Sequence, residues 1–509
     1  MSGRVHKSVL NAEVNLIFYF LSLFFAFFSR KIFLDNLGAE FIGLTGTLYN
    51  ILGYLNLSEL GISACIGYFL FKPLQTNNRQ EIQEILSLLG YLYNWIGGII
   101  FAGAFIVSLF FPLIFAHANL GFGIIYFAFY SFLGSSLIGY FINYRQILLS
   151  ADQKKYLVAI YYQSANIVKI ALQIFLAYYY KNLYIWVAVE FLFGIIGCII
   201  LNRKINKEYP WLNVNKKDGK LLLKKYPEII TKTKQVFIHQ IKNFVLVKSD
   251  ELFIFLFASL KMVAYYGNYM IIISKLISLF SAVTGSVGAS IGNLVAEGDK
   301  QHMLKVFWEF TTIQHTIAAI LSFSLYMFLE PFVAHWLGEQ YIMDNRILIL
   351  LVAYVYITNA SNSVNAFNYA HGLYADVWSA WAELITNVSV TIICGLKWGI
   401  IGILIGKLAS LIPIVGVWKP YYLFTVGLKE PVRNYWNGAL RNYAISVFAF
   451  AASYYTLQFI PFNPYKSIWE WLTYAVVGMV IFLLYDFTAT FLFAKGAKDS
   501  LRRIKILKN

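Results

Sequence analysis

Apolar runs of about twenty residues recur along nearly the whole chain, separated by short polar breaks. A helix needs about 20 mainly apolar residues to cross the hydrocarbon core of a bilayer. On that measure the pattern predicts spans at 14–32, 44–70, 85–111, 122–144, 157–178 and 183–201. A basic stretch follows, then spans at 236–258, 264–290, 306–328, 346–368, 378–396 and 400–418. A second polar stretch precedes 442–460 and 468–494, which brings the expected total to about 14. The most telling departure lies in LGAEFIGLTGTLYNILGYLNLSELGISACIGYFLFKP (37–73), where Asn56, Ser58 and Glu59 interrupt a span near its middle. A carboxylate at that depth opposes insertion by about 2.5–3.5 kcal/mol, so Glu59 is expected to face a polar interior.

The pattern repeats. Sliding the chain by 221 residues sets GLTGTLYNIL (43–52) on AYYGNYMIII (264–273), with Gly46 on Gly267. The same shift sets QTNNRQ (75–80) on AEGDKQ (296–301) and Asn166 on Asn387. Each half then holds six spans, an even number, so the two copies share one orientation. Such parallel repeats are related by an axis along the membrane normal, with substrate held between them. The expected architecture is an all-α polytopic membrane protein of two six-helix lobes plus a C-terminal helix pair. Its expected parts are a first lobe (1–202), a basic linker (203–235), a second lobe (236–420), a linker with helices 13 and 14 (421–494) and a basic tail (495–509).

Composition supports the class: 59% of the 509 residues are hydrophobic and only 13% charged. A soluble domain is closer to half apolar and a quarter charged. The net charge of +16 reflects topology. With a cytoplasmic N-terminus, 29 of the 41 lysines and arginines fall on the cytoplasmic side, 7 opposite and 5 inside spans. That bias is the positive-inside signal and sets both termini in the cytoplasm. Basic residues beside membrane ends point to lipid headgroups, and no nucleic-acid partner is expected. The first run, long and aromatic with no small-residue cleavage site, reads as a retained span rather than a cleaved leader.

Charged residues inside spans are the candidates for chemistry: Glu59, Lys169, Lys242, Lys248, Asp250, Glu251, Lys275 and Lys407, with Glu383 near a span end. Five of these eight deep positions are lysines, and low-dielectric walls would focus their field on an anionic substrate. The competing reading has each lysine reach an interface or pair with Glu59, Asp250 or Glu251. Lys248 and Asp250 are two apart on a helix and do not face each other, so each needs another partner. Asp250 and Glu59 are also candidates for ion coupling. The glycine spacings 288/292, 395/399 and 402/406 permit close helix approach. Tyr54, Tyr161, Tyr265 and Tyr269 are candidates for stacking on sugar rings, with packing as the alternative.

Signals of catalysis are missing from the sequence: no HExxH, GxSxG, P-loop or dinucleotide-binding glycine pattern occurs. Cys65, Cys198 and Cys394 lie far apart within apolar runs, which argues against a disulfide framework or a zinc site. His239 and His315 are lone span histidines, better suited to packing than to ligation. No cofactor is expected, and any pumping runs on a proton or sodium gradient or on the substrate's own gradient.

The stretch FSRKIFLDNLGAEFIGLTGTLYNILGYLNLSELGISACIGYFLFKPL (28–74) resembles the polysaccharide transporter branch of the multidrug/oligosaccharidyl-lipid/polysaccharide (MOP) flippase superfamily. The shared features are an arginine before LG-E--GL, a span ending in ELGI and a KPL exit. KSDELFIFLFASLKMVAYYGNYMIIISKL (248–276), SVGASIGNLVAEGD (286–299) and GLYADVW (372–378) are similar to further segments of that family. The resemblance covers roughly residues 14 to 420. It implies a flippase, not an enzyme, for undecaprenyl-diphosphate-linked oligosaccharide such as an O-antigen or capsule repeat unit, in the bacterial inner membrane. It also implies two six-helix lobes around a cationic cavity and a polysaccharide polymerase as a downstream partner. Arg30, Glu59, Lys248 and Asp250 fall where the family patterns have charged residues. The alternatives are an ion-coupled multidrug exporter of the same superfamily and a membrane glycan polymerase or ligase. On the flippase reading, Lys169→Ala or Lys275→Ala abolishes glycan export while the protein stays in the membrane. Full export by a well-expressed double variant would reject the role of both lysines.

Overall fold

The computed structural model describes residues 2–56, 62–152, 154–284, 291, 294–295, 297–373 and 376–497. Side chains at 2–12, 15–16, 63–65, 68, 71, 232, 234–245, 247–248 and 282–284 are outside that description. Among the described residues there are helices and connections and no strand. Hydrocarbon explains this, since a spanning segment must satisfy its own backbone hydrogen bonds.

The first helix, α1 (Ser2–Leu37), ends at Gly38, whose φ of 86° lies in the left-handed region. Only glycine enters it cheaply, and that turn lets α2 (Ala39–Leu55) start in a new direction. Next come α3 (Ile62–Gln75), α4 (Arg79–Leu109), α5 (Phe122–Phe141), α6 (Ser164–Tyr180) and α7 (Leu183–Glu208). The basic stretch folds into a short helix, α8 (Gly219–Lys225), on the flank of α4, and leads into α9 (Pro227–Phe257). Then follow α10 (Leu260–Thr284), α11 (Lys300–Trp336), α12 (Asn345–Ala360), α13 (Val377–Trp398) and α14 (Ile400–Leu411). The last two are α15 (Val432–Leu457) and α16 (Ile468–Phe493).

Helix starts keep the register of the repeat. Helix α2 begins at 39 and α10 at 260; α4 begins at 79 and α11 at 300, both pairs 221 apart. The same offset carries 122, the start of α5, to 343, two residues before α12. Eleven helices among the described residues are long and apolar enough to cross a membrane. The other three expected spans coincide with helical segments outside that criterion: α2 with α3, α9 and α15. The expected span 44–70 is divided, its middle (57–61) lying outside the described residues.

The chain forms two compact units, Met1–Ala264 and Tyr265–Asn509. In the first, α5 packs on α7, α1 and α7 flank α6, and α9 lies against α2 and α3. In the second, α13 and α14 form the tightest hairpin, and α11 runs against α12, α15 and α16. Two aromatic cores hold this unit. Phe307, Trp308, Phe367, Phe424 and Tyr435 form one, and Phe323 stacked on Phe482 at 4.4 Å anchors α16 in the other. Leu109, Leu396 and Leu484 remain exposed, as a lipid-facing surface requires.

The α13–α14 contact rests on absent side chains. A Cβ at Gly402 would stand 2.1 Å from the Cys394 carbonyl oxygen, and one at Gly406 2.2 Å from Thr391 Oγ1. The 402/406 spacing thus brings backbone against backbone, as the sequence pattern allows. Gly402→Ala is expected to cost about 1–3 kcal/mol through forced separation of the hairpin. Gly98→Ala, at a site with nothing within 4 Å, should be nearly neutral, and thermal unfolding of the two purified variants checks the contrast.

Candidate functional site

A polar cavity containing an expected site residue lies inside the first unit, among α2, α5, α6 and α7. Residues Ala159–Gln163 adopt a π-helical turn just before α6. Such turns widen a helix locally and rotate the faces of the residues beyond them, and they recur at functional sites. Tyr162 in that turn, with Asn166 and Lys169 on α6, lines a cavity of about 220 Å³. Tyr49 on α2, Ser135 on α5 and Glu190 on α7 complete its polar wall.

Lys169 Nζ lies 2.6 Å from Glu190 Oε1, with both side chains about 15% exposed (14% and 15%). Gln173, one turn further along α6, donates from Nε2 to the other oxygen of Glu190 at 2.9 Å. The carboxylate is therefore held by an ammonium and an amide at once, which offsets the cost of burying its charge. Ser135 Oγ is buried in the wall without a hydrogen-bond partner. Tyr49 stacks on Phe132 at 4.5 Å and fixes the α2 side. Charged, amide and hydroxyl groups surround a space below the ~300 Å³ of a typical drug-sized site. The cavity suits one polar piece of a larger molecule.

The remaining expected residues are spread over both units. In the first, Arg30 donates from Nη2 to the Ala264 carbonyl at 2.9 Å, tying α1 to the start of α10. Asp250 is buried on α9, and its neighbour Glu251 accepts from Asn50 Nδ2 at 2.5 Å beside Gly46. In the second, Lys275 is half-buried on α10, and Lys407 is buried with Nζ 4.5 Å from the centre of the Tyr354 ring. Glu59 and the side chains of Lys242 and Lys248 lie outside the described residues. Tyr265 and Tyr269 are packed, the first against Tyr341 and the second accepting the Met343 N–H at 3.0 Å.

Three carboxylates that the charge survey passed over change its balance: Glu190, Glu309 and Asp486 all stand within spans, the last two buried. With them, in-span carboxylates are at least as numerous as the five in-span lysines. The lysine surplus argued from sequence does not hold, because Lys169 meets its own counter-charge. The signal was present, since Glu190 interrupts an apolar run as Glu59 does.

Asp376, in the GLYADVW segment just ahead of α13, forms a second charged node. Its Oδ2 accepts from Lys419 Nζ at 2.7 Å, Ser379 Oγ at 2.8 Å and Trp418 Nε1 at 3.1 Å. Burial acts to raise the Asp376 pKa, but the hydrogen bonds from Lys419 and Ser379 outweigh it and the net shift is downward. Among the described residues no group of three or more His, Cys, Asp or Glu is able to hold a metal ion.

A double-mutant cycle on Lys169→Met and Glu190→Leu should show each single change destabilising by about 1–3 kcal/mol, the double change by less than their sum, because each single leaves a buried charge unpaired. For Asp376 the folded pKa lies below the unfolded one, so its contribution is present above the unfolded value. It is lost as pH falls through the folded value. Asp376→Asn should therefore lose less thermal stability than the parent protein as pH falls below about 4.

No protein-family model matches the chain, and no curated protein sequence does. Solved structures do. A lipid II flippase MurJ in an inward closed conformation matches with a TM-score of 0.65 and 16% identity, over 95% of this chain and 99% of that one. An inward-facing multidrug resistance MATE family transporter of the MOP superfamily matches with a TM-score of 0.60 and 15% identity, over 83% and 98%. The Vibrio cholerae MATE transporter VcmN, as its D35N mutant, gives 0.50 and 14%, over 84% and 99%. The chain has the fold of these proteins.

Proposed function

We propose that this multi-pass membrane protein is a flippase that carries polyprenyl-diphosphate-linked oligosaccharide from the cytoplasmic to the outer leaflet by alternating access. The observation that carries the reading is coverage. The lipid II flippase structure spans 95% of the chain, whereas the drug-transporter match stops at 83%, a shortfall about as long as the α15–α16 pair. The longer match, to a lipid II flippase, thus has the length needed to take in the additional helices. The bias of 29 cationic residues to 7 orients the chain with both termini inside and supports an inner-membrane location.

Charge exchange replaces simple attraction in this reading. An arriving diphosphate competes with Glu190 for Lys169, so the buried ammonium always has an anionic partner, while Glu190 keeps the Gln173 amide on its other oxygen. Matching charge to charge in this way lowers the cost of carrying a dianion through low dielectric. The cavity of about 220 Å³ takes only part of the headgroup, and the polyprenyl tail stays in lipid. Nothing in the arrangement calls for covalent chemistry on the substrate. Reconstitution tests the reading: in proteoliposomes loaded with lipid-linked repeat units, the chain should expose them to an externally added glycan-binding probe. Glu190→Gln should slow that exposure at least tenfold, and equal rates in empty and protein-containing vesicles would refute the assignment.

A second reading has one specific observation in its favour. The carboxylates Glu190, Glu309 and Asp486 give the interior the acid content that a cation exporter uses. Drug susceptibility of cells that express the chain separates the two: a flippase leaves resistance to cationic dyes unchanged.

A further inference from the structure

The helix pair outside the repeat carries a polar group that the flippase reading does not use. Asp486 belongs to the buried stripe Tyr474, Gly478, Phe482, Asp486 and Ala489 of α16, and is itself only 1% exposed. Thr316 on α11 hydrogen-bonds to it, while its Oδ2 is buried with no hydrogen-bond partner. Among the described residues no lysine or arginine neutralises it. An ionised carboxylate in that state is the costliest arrangement a membrane interior offers, and the neutral acid removes most of the cost.

A hydrogen-bonded chain runs beside it across three helices. Tyr356 on α12 donates from its hydroxyl to Ser446 Oγ on α15 at 2.9 Å, and Ser446 passes its own proton to the Asn442 carbonyl at 3.0 Å. His315 on α11, adjacent to Thr316, meets the same tyrosine oxygen through Nδ1 at 3.0 Å. Because Tyr356 has given its single proton to Ser446, His315 must donate from Nδ1, which leaves Nε2 as an acceptor. The titratable groups facing the site are His315 from α11, Tyr356 from α12, Tyr443 from α15 edge-on to the imidazole at 4.9 Å, and Tyr485 on α16 itself. Asp486 bears electrostatically on Tyr356, which links the acid to the chain.

We propose that Asp486, with Thr316 and the His315–Tyr356–Ser446 chain, is a proton-binding site built into the C-terminal unit by α16. The acid holds its proton on the unpartnered oxygen, with the chain through Tyr356 beside it. No bond other than O–H changes, and the charge moved is that of the proton. The site is independent of the substrate assignment, since it rests on groups that line no part of the Lys169 cavity.

Infrared difference spectroscopy on the purified full-length protein in lipid nanodiscs tests this directly. At about pH 5, above the ordinary range for an aspartate, the parent protein should show a protonated-carboxyl carbonyl band that Asp486→Asn, a change of the same shape, removes. Raising the pH should abolish the band, and added sodium at fixed pH should leave it in place. Tyr356→Phe breaks the neighbouring chain without touching the acid and should shift the pH at which the band is lost. A band unchanged in Asp486→Asn would overturn the proposal. So would loss of the band on addition of sodium, which would make this a metal-cation site. Should Asp486→Asn fail to fold, a pH midpoint left unmoved by Tyr356→Phe would overturn it equally.

Discussion

Everything in this molecule turns on the requirement that a charge in hydrocarbon keep a partner. Water is not available there to solvate an orphaned group, so each buried ion must find an opposite charge, a dipole or a proton. The structure shows the first two solutions side by side. Lys169 has Glu190 and, through it, Gln173; Lys407 has the face of Tyr354. Asp376 gathers an ammonium, an indole N–H and a hydroxyl at the edge of the membrane region. These contacts link neighbouring helices, which is why polar positions, few as they are, determine how apolar rods associate.

Architecture was far more legible in the sequence than the site. Span positions follow from apolar runs, and the offset of 221 is visible both in matched residues and in the starts of α2 and α10 or α4 and α11. Such features depend on local composition and on copying of a segment, so one dimension suffices. The glycine pair 402/406 was readable for a similar reason: a small residue every fourth position leaves a groove whatever fills it. What fills it, the Cys394 and Thr391 backbone, was not.

Pairing is a different kind of information. Lys169 and Glu190 are 21 residues apart on consecutive helices of a hairpin, and their meeting depends on the turn between α6 and α7 and on the rotation of α6 about its axis. The π-helical turn at Ala159–Gln163 contributes to that rotation, and nothing in AIYYQ announces it. Charge depth alone therefore suggested a pool of lysines, when the relevant unit is a lysine with its carboxylate. The same blindness covered Asp486, whose significance lies in the groups that stand around it on α11 and α15.

The contact between α13 and α14 also bears on motion. With Gly402 against the Cys394 carbonyl and Gly406 against Thr391, little side-chain volume separates the two helices to act as a lubricant. Side chains can change rotamer as helices slide; peptide planes in contact cannot. Whatever rearrangement the second unit undergoes, this hairpin travels as a single stiff strut. Bending is then left to its neighbours, and the π-helical run Ile412–Trp418 that continues α14 is the nearest place where the rod can yield.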